Sequence, residues 1–325
     1  MTNHSHRTGE LLTRHRDQAQ PWLAAEPPLA FPRQNTFDPV LRSHVADMQK
    51  LVLFKIFYNA ASRSQIEPDY IPLDNTDGPP DWFEMWPILR YIETHDLEDD
   101  AWYGFFSPKF PAKALQTLSD VKRLIEANPA ADVALFSYDW PTLISFRNAF
   151  VQGEDSHPGL ISCMENFLAS RGEKADLRHL IGDFETSVFS NYVVAKKAYW
   201  LEWAALARAY HDYATTGGPS LPDNAMTVHD LKPVFAMRVF VQERLACWIL
   251  SKRRYRVVHP NYARDVSFDR YITGTDSPWL RRTLGMANAA KRLARRSNMP
   301  SLMVLHWLAM RANGVVYRLR VMLKG

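Results

Sequence analysis

The sequence predicts an α/β fold, a mixed α/β core followed by a C-terminal helical extension that is basic. Three observations carry this expectation. Short apolar runs bounded by polar or turn residues recur along the chain, and between them lie longer segments with apolar residues at helical spacing. The composition, 46% hydrophobic and 12% aromatic with ten Trp in 325 residues, suits a packed core and excludes a disordered chain. From Ser277 to Gly325 there are ten Lys or Arg and no Asp or Glu; against a whole-chain charge of +4, residues 1–276 therefore carry −6.

Taken in order, residues 1–46 read as a poorly ordered N-terminal extension, because Pro21, Pro27, Pro28 and Pro32 interrupt every helical pattern. Trp22, Leu29 and Phe31 are the residues there able to pin a short piece to the core. The run Leu51–Tyr58 reads as a buried first strand that delivers Tyr58 and Asn59 to its carboxyl end. Tyr70–Pro80 is turn chemistry, and Asp81–His95 is an aromatic helical segment in which Pro87 either kinks a helix or begins one. Trp102–Phe106 is a second strand. Thr117–Asn128 has a capping-type start and is stopped by Pro129 before the strand Asp132–Ser137. Helical patterns over 141–150 and 158–171 precede a strand at Val188–Ala195, helices over 197–213 and 235–252, and a terminal strand at Arg254–Val258.

The extension, 277–325, follows a main domain of 47–276. Within Leu280–Arg296, Leu284, Ala287 and Ala294 lie with Leu280 toward one side, and Arg281, Arg282, Lys291, Arg292, Arg295 and Arg296 lie elsewhere. Leu302, Leu305, Leu308, Ala312, Val315, Val316 and Leu319 then continue at helical spacing. A cationic amphipathic helix of this kind attaches to an anionic membrane surface. The competing arrangement packs the apolar stripe on the main domain. Nucleic acid is not an expected partner, since no RNA- or DNA-binding module accompanies the charge. The first 42 residues lack the apolar stretch of a signal peptide, and Cys163 and Cys247 sit in apolar helical patterns as two thiols rather than a disulfide. The expected location is cytoplasmic, peripheral at the inner face of the cytoplasmic membrane.

No P-loop, G-x-G-x-x-G, H-E-x-x-H, G-x-S-x-G or C-x-x-C occurs, which removes the commonest nucleotide, metalloprotease, hydrolase and redox readings. In open α/β sheets ligands bind beyond the carboxyl ends of strands, so residues that follow strands are the candidates. Asp74, Asn75 and Asp77 fit two readings: hard oxygen ligands for a sugar, a ribose or a divalent cation, or a turn whose side chains cap backbone amides. Glu84 beside Trp86 either holds a sugar or base, or is a surface carboxylate next to a core ring. Lys109, directly after a strand, either neutralises a diphosphate or is solvated. Asn191, an amide within an apolar strand, demands a hydrogen-bond partner. Asp183 flanks that strand. Glu243 is either a general base toward a hydroxyl or the partner of Arg238 or Arg244.

Three segments resemble bacterial glycosyltransferase-like proteins of capsule and lipopolysaccharide clusters, which have the GT-A fold. They are Tyr70–Asn75 followed by Asp81–Ile88; Trp102–Phe110; and Ser190–Trp200 followed by Arg238–Leu245. The resemblance implies a GT-A-like, Rossmann-related mixed central sheet flanked by helices. It also implies transfer of a sugar from a nucleotide-sugar donor to a hydroxyl of a surface-polysaccharide or lipid-linked glycan acceptor. On it, Tyr58, Asn59, Asp74, Asn75 and Glu84 hold the donor, Lys109 the diphosphate and Asn191 the transferred sugar, with Asp183 or Glu243 as base. Ser107-Pro108-Lys109 stands where metal-dependent relatives have Asp-x-Asp, so a divalent cation, Mn or Mg, is left open, with Asp74 and Asp77 as its candidate ligands. The alternative is a non-catalytic assembly protein of a polysaccharide complex with a degenerate transferase-like site.

Overall fold

A computed structural model describes residues 50–137, 139–218, 220–229, 232–262 and 278–312. The N-terminal extension, the 276/277 boundary, and Val315, Val316 and Leu319 lie outside the described residues. The core is a six-stranded mixed sheet of order β2-β1-β3-β5-β4-β8, with β1 at Leu51–Phe57, β2 at Ile71–Asp74, β3 at Trp102–Phe106, β4 at Val133–Leu135, β5 at Val193–Lys196 and β8 at Val257–Val258. β1 pairs in parallel with β2 and β3, and β4 in parallel with β8; β5, between β3 and β4, is antiparallel to both. Five strands therefore run one way and β5 alone runs against them. A separate hairpin pairs β6, Met226–His229, with β7, Lys232–Ala236.

The central strands are near-continuous apolar runs because both sheet faces are covered. Phe54, Ile56, Tyr103, Phe105, Val133, Leu135, Val193 and Ala195 pack on one face. Their immediate neighbours Leu53, Trp102, Phe106, Ala134, Phe136, Tyr192 and Val194 pack on the other, as period-two alternation requires. Gly104 is needed in β3, since a Cβ there would lie 2.8 Å from Leu53 and 2.9 Å from Val194 on the flanking strands. Lys55, buried in the middle of β1, is tolerated because Glu67 pairs with it at 3.0 Å and its ammonium lies 4.6 Å from the centre of the Tyr70 ring.

Helices α1 (Ala60–Ser64), α2 (Met85–Thr94), α3 (Phe110–Ala114), α4 (Leu118–Glu126), α5 (Trp140–Ser145), α6 (Ala149–Ser156), α7 (Leu160–Ser170) and α8 (Lys197–Thr216) follow the strands. α9 (Met237–Gln242) and α10 (Leu245–Ser251) precede β8, and α11 (Pro278–Ser297) and a helix α12 over 303–312 come last. Thr117 and Asp120 form the capping box expected at the start of α4. Pro87 sits in the first turn of α2, where no backbone donor is lost. Tyr70–Pro80, read as a turn throughout, instead contributes the short strand β2. The helix expected over 235–252 divides into the end of β7, α9 and α10, and the 188–195 strand starts only at Val193. Both cysteines are free and buried. No helix among the described residues is long and apolar enough to cross a membrane.

The basic extension packs on the core as its apolar stripe requires, but its charges are not arranged as expected. Leu284, Ala287 and Ala294 are buried, and so, against the membrane-binding role expected from the sequence, are Lys291 and Arg295. The Lys291 ammonium donates to the carbonyls of Leu143 (3.1 Å), Ile144 (3.5 Å) and Phe146 (2.7 Å), so a cation caps the carboxyl end of α5. His306 Nε2 donates to the Ile144 carbonyl at 2.8 Å and anchors α12 to the same end. Burial pushes the Lys291 amine down to about 7. Arg295 Nε bonds Asp183 at 2.8 Å, and its other nitrogen reaches Glu185. Arg296 also pairs with Glu185, at 2.6 Å.

Candidate active site

The carboxyl ends of β1, β2, β3 and β4 and the start of β5 meet at one edge of the sheet, because β5 runs against its neighbours. Tyr58 follows β1 there and is hydrogen-bonded to Glu84, the residue immediately before α2. Burial raises the Glu84 carboxyl above the ordinary range, and nearby Glu243 raises it further; the Tyr58 bond and the field of Lys113 oppose the shift. Glu84 nonetheless keeps a path to solvent. Burial and the neighbouring Glu84 push the Tyr58 phenol up, so Tyr58 stays a neutral donor.

The far side of the cluster is the segment before β5. Lys113, on α3, reaches Ser190 Oγ at 3.4 Å, and Tyr192 OH lies 3.0 Å from Ser107 Oγ at the end of β3. Between them, Asn191 is buried with its Oδ1 unbonded. Ser190 and Asn191 both adopt left-handed backbone, φ 57° and 52°, which non-glycine residues rarely do. Glu243 follows α9 and pairs with Arg244 at 3.1 Å; Arg244 is fixed by Gln152 (2.9 Å) and the Ala149 carbonyl (3.1 Å).

The loop that carries Glu84 is held from three directions. Asn75 Nδ2 donates to the Phe83 carbonyl at 3.0 Å, Gln242 Nε2 to the Asp81 carbonyl at 2.9 Å, and Arg238 pairs with the Asp81 carboxylate at 2.9 Å. Asp81 and Phe83 have positive φ, 67° and 35°. A strained loop bonded this heavily presents Glu84 in one orientation.

The structure thus gathers Tyr58, Glu84, Asn191 and Glu243 of the residues read from the sequence, and gives Asn75 a positioning role. The others lie elsewhere or are occupied. Asp183 is buried away from this cluster, its carboxylate accepting from Arg295, Thr186 and the Glu185 amide. Asn59 caps α1 through the Ser62 amide at 2.8 Å. Asp74 accepts from the Thr76 amide at 2.8 Å, a bond that lowers its carboxyl, and Asp77 is exposed. Among the described residues no cluster of three or more metal-ligating side chains occurs. Lys109 is exposed at the start of α3; the cation that faces the cluster is Lys113, one helical turn further. That four-residue offset was the available signal for Lys113. Ser107 directly follows the Trp102–Phe106 strand, whereas Ser190 carried no such signal.

No protein-family model matches the chain, and comparison with curated proteins and with solved structures finds no match.

Proposed function

We propose that the chain is a glycosyltransferase with a GT-A-like core, acting from a nucleotide-sugar donor on a glycan or lipid-linked hydroxyl. A mixed sheet with one reversed strand supports the fold assignment. The observation that carries the reaction is the Glu84 carboxyl, raised by burial, beside Tyr58, Lys113, Asn191 and a second carboxylate at the carboxyl edge of the sheet.

In this reading Glu84 takes the proton from the acceptor hydroxyl, because a carboxylate whose pKa is raised by burial is a stronger base than one of ordinary pKa. The acceptor oxygen bonds to the anomeric carbon, the bond from that carbon to the diphosphate oxygen breaks, and its electrons leave with the nucleoside diphosphate. Lys113 and Ser190 stabilise the charge developing on that leaving group. Asn191 Oδ1 accepts from a hydroxyl of the transferred sugar, and Tyr58 orients the Glu84 carboxyl. Glu243, held by Arg244, keeps Glu84 basic through its charge. The buried free thiols favour a reducing, cytoplasmic location.

The test is a panel of nucleotide sugars, each assayed for hydrolysis or transfer. Turnover of at least one is expected, and Glu84→Gln should lower it by about 10²- to 10⁴-fold with the fold intact. A full panel without turnover, or a Glu84→Gln variant of undiminished rate, contradicts the proposal. Nucleoside diphosphate binding without any turnover would favour the non-catalytic assembly protein.

A further inference from the structure

The extension presents a second apolar surface, flanking the stripe it buries. On α11, Trp279, Met286 and Leu293 recur every seven residues, two helical turns, and are exposed, Met286 at 64% and Leu293 at 53%. Arg282, one turn before Met286, stands beside them, and Arg292 is exposed on the same helix. On α12, Leu305, Trp307 and Leu308 are about half exposed, and the Arg311 guanidinium lies 4.3 Å from the centre of the Trp307 ring. Large apolar side chains grouped in this way on consecutive helices mark an interaction surface.

We propose that the exposed apolar side chains Trp279, Met286 and Leu293 of α11, together with Leu305, Trp307 and Leu308 of α12, dock on an anionic lipid surface. Charge selects this occupant. Arg282, Arg292 and Arg311 interleave with the apolar groups, no Asp or Glu occurs from Ser277 to Gly325, and the last thirteen residues add Arg318, Arg320 and Lys324. A second copy of the chain on a two-fold axis would set this cationic face against itself. An anionic leaflet complements it, Trp is suited to the headgroup level, and Arg reaches phosphates from there. Lys291 and Arg295 tie α11 to the core and His306 ties α12 to it, so these side chains are presented from anchored helices. It stands independently of the transferase reading, since a protein without any transfer activity would bind lipid equally well.

The experiment is sedimentation of the full chain with vesicles of phosphatidylcholine alone and of phosphatidylcholine mixed with phosphatidylglycerol. Binding is expected to the mixed vesicles and to fall as salt rises. Trp279→Ala and Trp307→Ala should each weaken it about tenfold, and Arg292→Ala about fivefold. Circular dichroism checks that these exposed substitutions leave the fold intact. Absence of binding at low salt, or binding that neither tryptophan substitution weakens, overturns the proposal. So does a dimer that Trp307→Ala dissociates in a protein that ignores vesicles.

Discussion

Two regions bury charge, and they do so differently. Where α11 meets the core, Arg295 is matched to Asp183 and Glu185, and Lys291 to three carbonyls. At the sheet edge, Glu84 has a phenol and a distant lysine but no direct cation, and the Oδ1 of Asn191 has no partner. The first cluster is complete, which is what a staple between two elements requires. The second is recessed, strained and unfinished, which is what a binding site requires before its ligand arrives. Perturbed titration alone does not separate the two, since Lys291 is shifted as well. The presence or absence of satisfied partners does.

The contrast breaks most visibly at the staple. Arg295→Met leaves Asp183 buried without its cation and should destabilise the protein by about 3–5 kcal/mol in urea unfolding. Adding Asp183→Leu should recover part of that loss, because the uncompensated charge is gone.

A second effect is read in pH. The Lys291 amine binds its proton less tightly when folded, near 7, than the 10.5 of a free lysine. Between those values the unfolded chain holds more protons, so this group makes stability rise with pH from about 7 to about 10.5. Below that window its contribution is flat. Lys291→Met should remove this rise from the stability profile measured by chemical denaturation at successive pH values.

The smallest effect is expected at Asp74, whose carboxylate only closes a turn on Thr76. Asp74→Ala should change stability by no more than about 0.5 kcal/mol and leave nucleoside diphosphate binding, measured by calorimetry, unchanged.

Much of the scaffold was legible in the sequence. Leu51–Tyr58 and Trp102–Phe106 are apolar because both sheet faces are covered, and Thr117 announces α4 through its capping box. β2 was not legible: IPLD at the sheet edge carries a proline and three exposed residues, so it lacks the apolar signature of a strand. The hairpin over 226–236 was hidden for a related reason, since its Lys232-Pro233 breaks the alternation. In the extension, Lys291 falls four residues after Ala287 and three before Ala294, so helical spacing alone places it on the buried stripe. Its charge concealed that position. Of the site, Tyr58 and Asn191 were marked by their place in or after strands, Glu84 by the aromatic ring beside it, and Glu243 by its place in an apolar helical segment. The pairing of Asp183 depends on Arg295, 112 residues away in sequence, which no local pattern reveals.

The most direct test of the sheet-edge site is titration calorimetry of the full chain with a panel of nucleoside diphosphates, repeated with Lys113→Met, Asn191→Ala and Lys109→Met. At least one should bind, with affinity falling about tenfold in each of the first two variants and unchanged in the third. Binding by none, or binding that Lys113→Met and Asn191→Ala leave intact, would contradict it.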